Sequence, residues 1–228
     1  MKTKNFLAIN NLHSAELFEG FTMTSQEIED FVSDQPLDVM KKPNVFFVER
    51  KMRLPMFAAD FYHFIYSKKK VPTQQEFIDY YKESNKDYLT KVITNDDFEQ
   101  GLYGRLCRTY PSLVRDIHFL RKIEESGRFD KVDYNLEVDL FGKADILVEK
   151  GGKWYGVKLR TKTRRSDAFA AIKEGGGRGN VDLGYEPVEL AIDLDKAYSL
   201  NTQKDSIKLY HESSINELDE SIRQNLGG

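Results

Sequence analysis

The chain of 228 residues contains one cysteine, Cys107, so it can close no internal disulfide, and one thiol with four scattered histidines builds no zinc-like cluster. It contains no run of about 18 apolar residues that would suggest a membrane span. Its first stretch, MKTKNFLAINNLHSAEL, lacks the continuous apolar core and small-residue cleavage site of a secretory leader. These absences lead to the expectation of a cytoplasmic protein with no structural zinc and no membrane partner. Charge of one sign is also scarce: 34 Lys+Arg stand against 37 Asp+Glu, a net of -3, and that total by itself points to no polyanionic partner. A Gly-x-Ser-x-Gly elbow and the paired carboxylates of a glycosidase are absent. The glycine run from Glu174 to Gly179 lacks the Gly-Lys-Ser/Thr ending of a phosphate loop and follows an expected helix instead of preceding one, which argues against nucleotide binding. What remains is 40% hydrophobic and 31% charged, a globular composition with enough chain for one or two cores.

The spacing of apolar residues divides the chain at about residue 93. Residues 1–93 read as a helical domain. Thr24 and Glu27 have capping-box spacing ahead of a helix at 25–33. A helix from Pro55 to about Ser67 ends at Lys68-Lys69-Lys70, and Thr73 with Glu76 opens the next. That pair permits a helix-turn-helix-like arrangement, or simply a helical scaffold. Val45 to Val48 are β-branched or aromatic, so Asn44 to Arg50 reads as a short strand. Residues 94–228 read as helices at 96–108 and 111–126, divided by Pro111 and stopped by Gly127. Strands follow at Lys131–Asp139, Ala144–Glu149, Lys153–Arg160, Glu189–Leu194 and Ile207–His211, with further helices at 166–174 and Ser213–Leu226. Gly151-Gly152 signals a tight antiparallel hairpin. The expected class is α/β in the α+β sense, a helical N-terminal region followed by a mixed sheet flanked by helices.

Chemistry concentrates around that hairpin. Strand alternation places Gly156, Lys158 and Arg160 on one face and Tyr155, Val157 and Leu159 on the other. Asp145 opens the preceding strand, so a carboxylate can lie near a cationic row, a workable place for a divalent ion and a phosphodiester. The order of elements from about 96 to 195, Asp145, and the strand from Tyr155 to Thr161 resemble the PD-(D/E)xK nuclease superfamily, with its restriction-endonuclease-like fold. The resemblance implies a DNA endonuclease in which Asp145 holds Mg²⁺ or Mn²⁺ with help from Glu99 or Asp139. In that reading Lys158 orients or deprotonates water and Arg160 stabilises phosphate charge.

The chain departs from the family pattern on the third strand. If Arg160 takes the lysine slot, Lys158 occupies the slot of the second acid; if Lys158 is the lysine, that slot holds Gly156. Three readings stay open. A migrated acid can come from Glu137, Asp139, Glu99 or Asp167. A metal-free relative can bind DNA, or a protein partner in a defence, transposition or phage complex, or another copy of itself. Asp145 and Lys158 can also be a structural ion pair.

Between Lys158 and Arg178 seven cations oppose two anions, a local net of +5, whereas from Val181 onward four cations face ten anions. Lys162, Arg164, Arg165, Lys173 and Arg178 are therefore the candidate nucleic-acid contacts, interleaved with Thr161, Thr163 and Ser166. His118 and Cys107 sit among helical apolar neighbours and read as packing residues.

Overall fold

The computed structural model describes residues 14–38, 45–136, 138–139, 144–161, 184–192 and 197–226. The expected helix at 166–174 lies outside them, as do Glu137, Lys162, Arg164, Arg165, Asp167, Lys173, Arg178 and the side chain of Arg160.

The helical region begins with α1 (Ser14–Leu17) and α2 (Ser25–Ser33), the latter closed at its start by the reciprocal Thr24 and Glu27 capping box. The expected strand at 44–50 is instead a helix, α3 (Phe46–Arg50). Its β-branched and aromatic residues serve packing, not pleating. Val48 is buried and its carbonyl accepts from Arg105, Phe47 stacks on Phe98, and Glu49 pairs with Arg108, so three contacts to a neighbouring helix override strand propensity. Next come α4 (Phe57–Lys68), whose cap Lys69 has φ 58°, and α5 (Gln74–Ser84), opened by the Thr73 and Glu76 capping box. The outward positions of α5 include Gln75, Asp79 and Glu83, an acidic surface poorly suited to phosphate. A short α6 (Lys86–Val92) leads into α7.

The two helices expected on either side of Pro111 are one, α7 (Asp96–Ser126), 31 residues long. Proline removes the N–H that would bond the carbonyl four residues back. That carbonyl belongs to Cys107, and the Gln74 side-chain amide donates to it at 3.2 Å, so α5 restores the bond the proline deletes. Gly127, with φ 61°, ends the helix where glycine tolerates the left-handed conformation.

The strands β1 (Lys131–Asp133), β2 (Ile146–Lys150), β3 (Lys153–Thr161) and β4 (Glu186–Ile192) form a mixed sheet in that order, with β1, β2 and β3 antiparallel and β4 parallel to β3. The first strand is shorter than expected, because the chain turns at Tyr134 and Asn135. Gly151 and Gly152, at φ 61° and 76°, make the anticipated hairpin between β2 and β3. A separate ribbon pairs β5 (Tyr198–Asn201), which periodicity did not reveal, with β6 (Ser206–Leu209), and α8 (Glu212–Leu226) follows.

One face of the sheet, with Ile146, Val148, Tyr155, Val157, Val188 and Leu190, is buried in a core shared with α7 and α8. The same core continues into the helical region. Tyr62 of α4 lies 4.4 Å, centroid to centroid, from Tyr134 after β1, and Phe18 lies 5.9 Å from the same ring. The expected division at residue 93 therefore does not divide the hydrophobic interior.

Candidate active site

Three aspartates from three parts of the chain, Asp145, Asp139 and Asp116, are linked through their charges, Asp145 shifting both of the others. Asp145 immediately precedes β2. Its N–H donates to the Val157 carbonyl at 2.8 Å, and its Oδ2 accepts from the Leu159 N–H at 2.5 Å. The carboxylate thus takes over a position where the β2–β3 ladder would otherwise supply a carbonyl, and it is anchored to the third strand. Asp139 comes from the turn after β1: its N–H donates to the Asn135 carbonyl at 2.9 Å, and the Tyr134 hydroxyl donates to its Oδ2 at 2.5 Å. Asp116 lies on α7 on the stripe of Leu113, Ile117 and Leu120, three core residues.

These carboxylates act on one another. Burial, and then the negative charge of Asp145, push the Asp116 carboxyl well above the usual range, with Arg115 opposing and Asp139 adding to the shift. Burial and Asp145 likewise push Asp139 up to about 7, against the Tyr134 hydrogen bond. Like charges gathered in a dry corner favour taking up a proton or a cation. Carboxylate oxygens are the donors a hard divalent ion prefers, and Mg²⁺ commonly needs only one or two of them beside water and phosphate. Among the described residues no group of three or more His, Cys, Asp or Glu is placed to hold one ion.

The expected residues separate into those that act on one another and those that do not. Asp145 and Asp139 are coupled through the charge of Asp145. Glu99 is not: it stands in the first turn of α7, its side chain 60% exposed and 3.0 Å from Lys82, about 25 Å along the helix from Asp116 at about 1.5 Å per residue. The acid that α7 contributes is Asp116. The sequence carried a usable signal for it, a carboxylate three residues after Leu113 and four before Leu120 on an otherwise apolar stripe.

Lys158 projects from the face of β3 opposite buried Val157 and lies 3.7 Å from Glu189, its register partner on β4. Arg160 is paired in register with Ala191. Gly156 sits beneath an aromatic ring, since a Cβ there would come within 2.3 Å of Tyr185. The space an acid would need at position 156 is occupied.

The packing assignments hold. His118 is buried with Nε2 2.8 Å from Glu29, and this hydrogen bond holds the Glu29 carboxyl below its ordinary range. Cys107 is buried, and burial pushes its thiol up. No helix among the described residues is long and apolar enough to cross a membrane. No family model, no curated protein and no solved structure matches the chain.

Proposed function

We propose that the chain is a metal-dependent nuclease with a PD-(D/E)xK-like site that hydrolyses phosphodiester bonds in DNA. The observation that supports this reading is Asp145, pinned to β3 at the start of β2, with a charge that raises both the Asp139 and the Asp116 carboxyls. Asp145 and Asp139 would hold Mg²⁺ or Mn²⁺. When bound, such an ion neutralises phosphate charge and acidifies a water molecule. Asp116, with its raised pKa, is suited to retain a proton while the site is empty and to release it when a cation arrives. Lys158 supplies cationic charge on β3, the strand to which Asp145 is anchored, and Arg160 follows it two residues on in the sequence. The basic segment beginning there, through Lys162, Arg164, Arg165, Lys173 and Arg178, is suited to the polynucleotide backbone.

The test is incubation with supercoiled DNA, single-stranded DNA and RNA in Mg²⁺ and in Mn²⁺. DNA cleavage that falls at least a hundredfold in Asp145→Ala is expected, and cleavage unaffected by that change would sink the reading.

A second reading has its own support. Lys158 is engaged by Glu189, and the Gly156 position is filled by Tyr185, so β3 presents no acid beside its cations. A non-catalytic relative that binds DNA or a protein partner would have this arrangement. DNA binding that weakens steeply with salt, without hydrolysis under any metal condition, would favour it.

A further inference from the structure

Two exposed phenylalanines stand on a helix that α7 is shaped to receive. The short α3 lies along one stripe of α7: Phe47 stacks on Phe98 with ring centroids 5.1 Å apart, the Val48 carbonyl accepts from Arg105, and Glu49 pairs with Arg108. Between these contacts the helices close onto Gly101, where a Cβ would come within 2.9 Å of Val45 and 3.0 Å of Val48. Glycine inside a helix costs about 1 kcal/mol relative to alanine, so the close seat of α3 outweighs the helix propensity given up for it. Yet the seated helix turns Phe46 and Phe47 outward, 60% and 46% exposed. Aromatic side chains held in place before binding are effective interface anchors, because little freedom remains for them to lose.

The ground beside them is acidic. Asp96, Asp97 and Glu99 flank Phe98 in the first turn of α7, all three exposed, with Lys82 3.0 Å from Glu99. Nucleic-acid bases also stack on exposed rings, but carboxylates so close repel the phosphates that accompany them. A cationic side chain is favoured twice, by the ring faces and by the carboxylates. We propose that α3 and the first turn of α7 form a docking surface for a basic segment of a partner protein, one in which leucine-like residues interleave with Arg or Lys. The apolar side chains of that segment pack on Phe46 and Phe47, and its cations face Asp96 and Asp97. Phe98 lies about 27 Å along α7 from Asp116 at about 1.5 Å per residue, so this surface stands whether or not the chain cleaves DNA.

The test is fluorescence anisotropy of a labelled synthetic dodecapeptide of repeated Leu-Arg-Arg, titrated with the full chain, beside a matching peptide of repeated Leu-Glu-Glu. The wild type should bind the basic peptide and not the acidic one. Phe46→Ser combined with Phe47→Ser should weaken that binding at least about tenfold. Phe46→Ser alone, at the more exposed position and away from the Phe98 stack, should weaken it in the same direction with an unchanged thermal midpoint, which keeps the test decisive if the double variant loses stability. Asp96→Asn combined with Asp97→Asn should cost about fivefold at low salt and nothing in molar salt. Glu217→Gln combined with Glu220→Gln removes the same charge from exposed positions on α8 and should leave binding unchanged. A wild type that ignores the basic peptide, or binds both peptides alike, overturns the proposal, as does equal weakening by the α8 pair. Sedimentation that shows the wild type self-associating through Phe46 and Phe47 gives the surface to a second copy of the chain and overturns it too.

Discussion

At the scale of single residues, burying Asp139 beside the charge of Asp145 carries a stability cost. Asp139 titrates at about 7 in the folded chain, against about 3.9 for an unperturbed aspartate. As pH rises from about 4 to about 7, the unfolded chain gives up this proton while the folded chain keeps it, so stability falls through that window and then levels. Asp139→Asn removes the cost and retains an oxygen for the Tyr134 hydroxyl. In chelator at pH 8 the variant should be more stable than wild type by up to about 4 kcal/mol, with the advantage vanishing near pH 4. Urea unfolding at the two pH values checks it, and a variant less stable at pH 8 would contradict the burial argument.

Single-residue patterns also mark what could be read from sequence. Asp145 was legible because it precedes an apolar run and a Gly-Gly hairpin. Asp116 was not legible, because a lone acid on an apolar helix stripe does not reveal that Asp145 and Asp139 act on its charge. The Lys158 pairing with Glu189 depends on which strand lies beside β3, and strand order is a tertiary property.

At the scale of elements, caps and turns were the most readable features, since Thr24, Thr73, Gly127 and Gly151-Gly152 act on backbone groups within a few residues. The two misread elements were decided by distant partners. Phe46 to Arg50 is helical because it packs on α7, and α7 passes through Pro111 because Gln74 supplies the missing donor. That rescue can be measured. Gln74→Ala strands the Cys107 carbonyl and also removes the bonds Gln74 makes to the Asp38 backbone, so it should cost about 2–3 kcal/mol. Adding Pro111→Ala returns an N–H to the helix. The double variant is expected to recover about 1 kcal/mol relative to Gln74→Ala in denaturant unfolding, and purely additive losses would refute the donor-replacement account.

Across the whole molecule, the helical and sheet regions share one interior, although composition and pattern change at residue 93. Local periodicity reports what each segment forms but is silent on which segments bury one another. The contacts of Tyr134 with Tyr62 and Phe18 join the parts, and so does the bond from Gln74 to Cys107. Unfolding should therefore be cooperative. Fluorescence from the single Trp154, on β3, and far-UV circular dichroism, dominated by the helices, should give coincident transitions in urea. A fragment of residues 94–228 should fail to show a cooperative transition; a fragment that unfolds as sharply as the full chain would establish two independent folding units.

The buried sulfur of Cys107 has a use of its own. Cys107 is the only thiol in the chain, it is inaccessible in the closed fold, and its carbonyl is the one that α5 caps across the helix interruption. A thiol reagent can reach it only when the packing around it on α7 opens. The protein thus carries a native chemical clock, and the rate of modification at Cys107 times the opening of its longest helix without any introduced label.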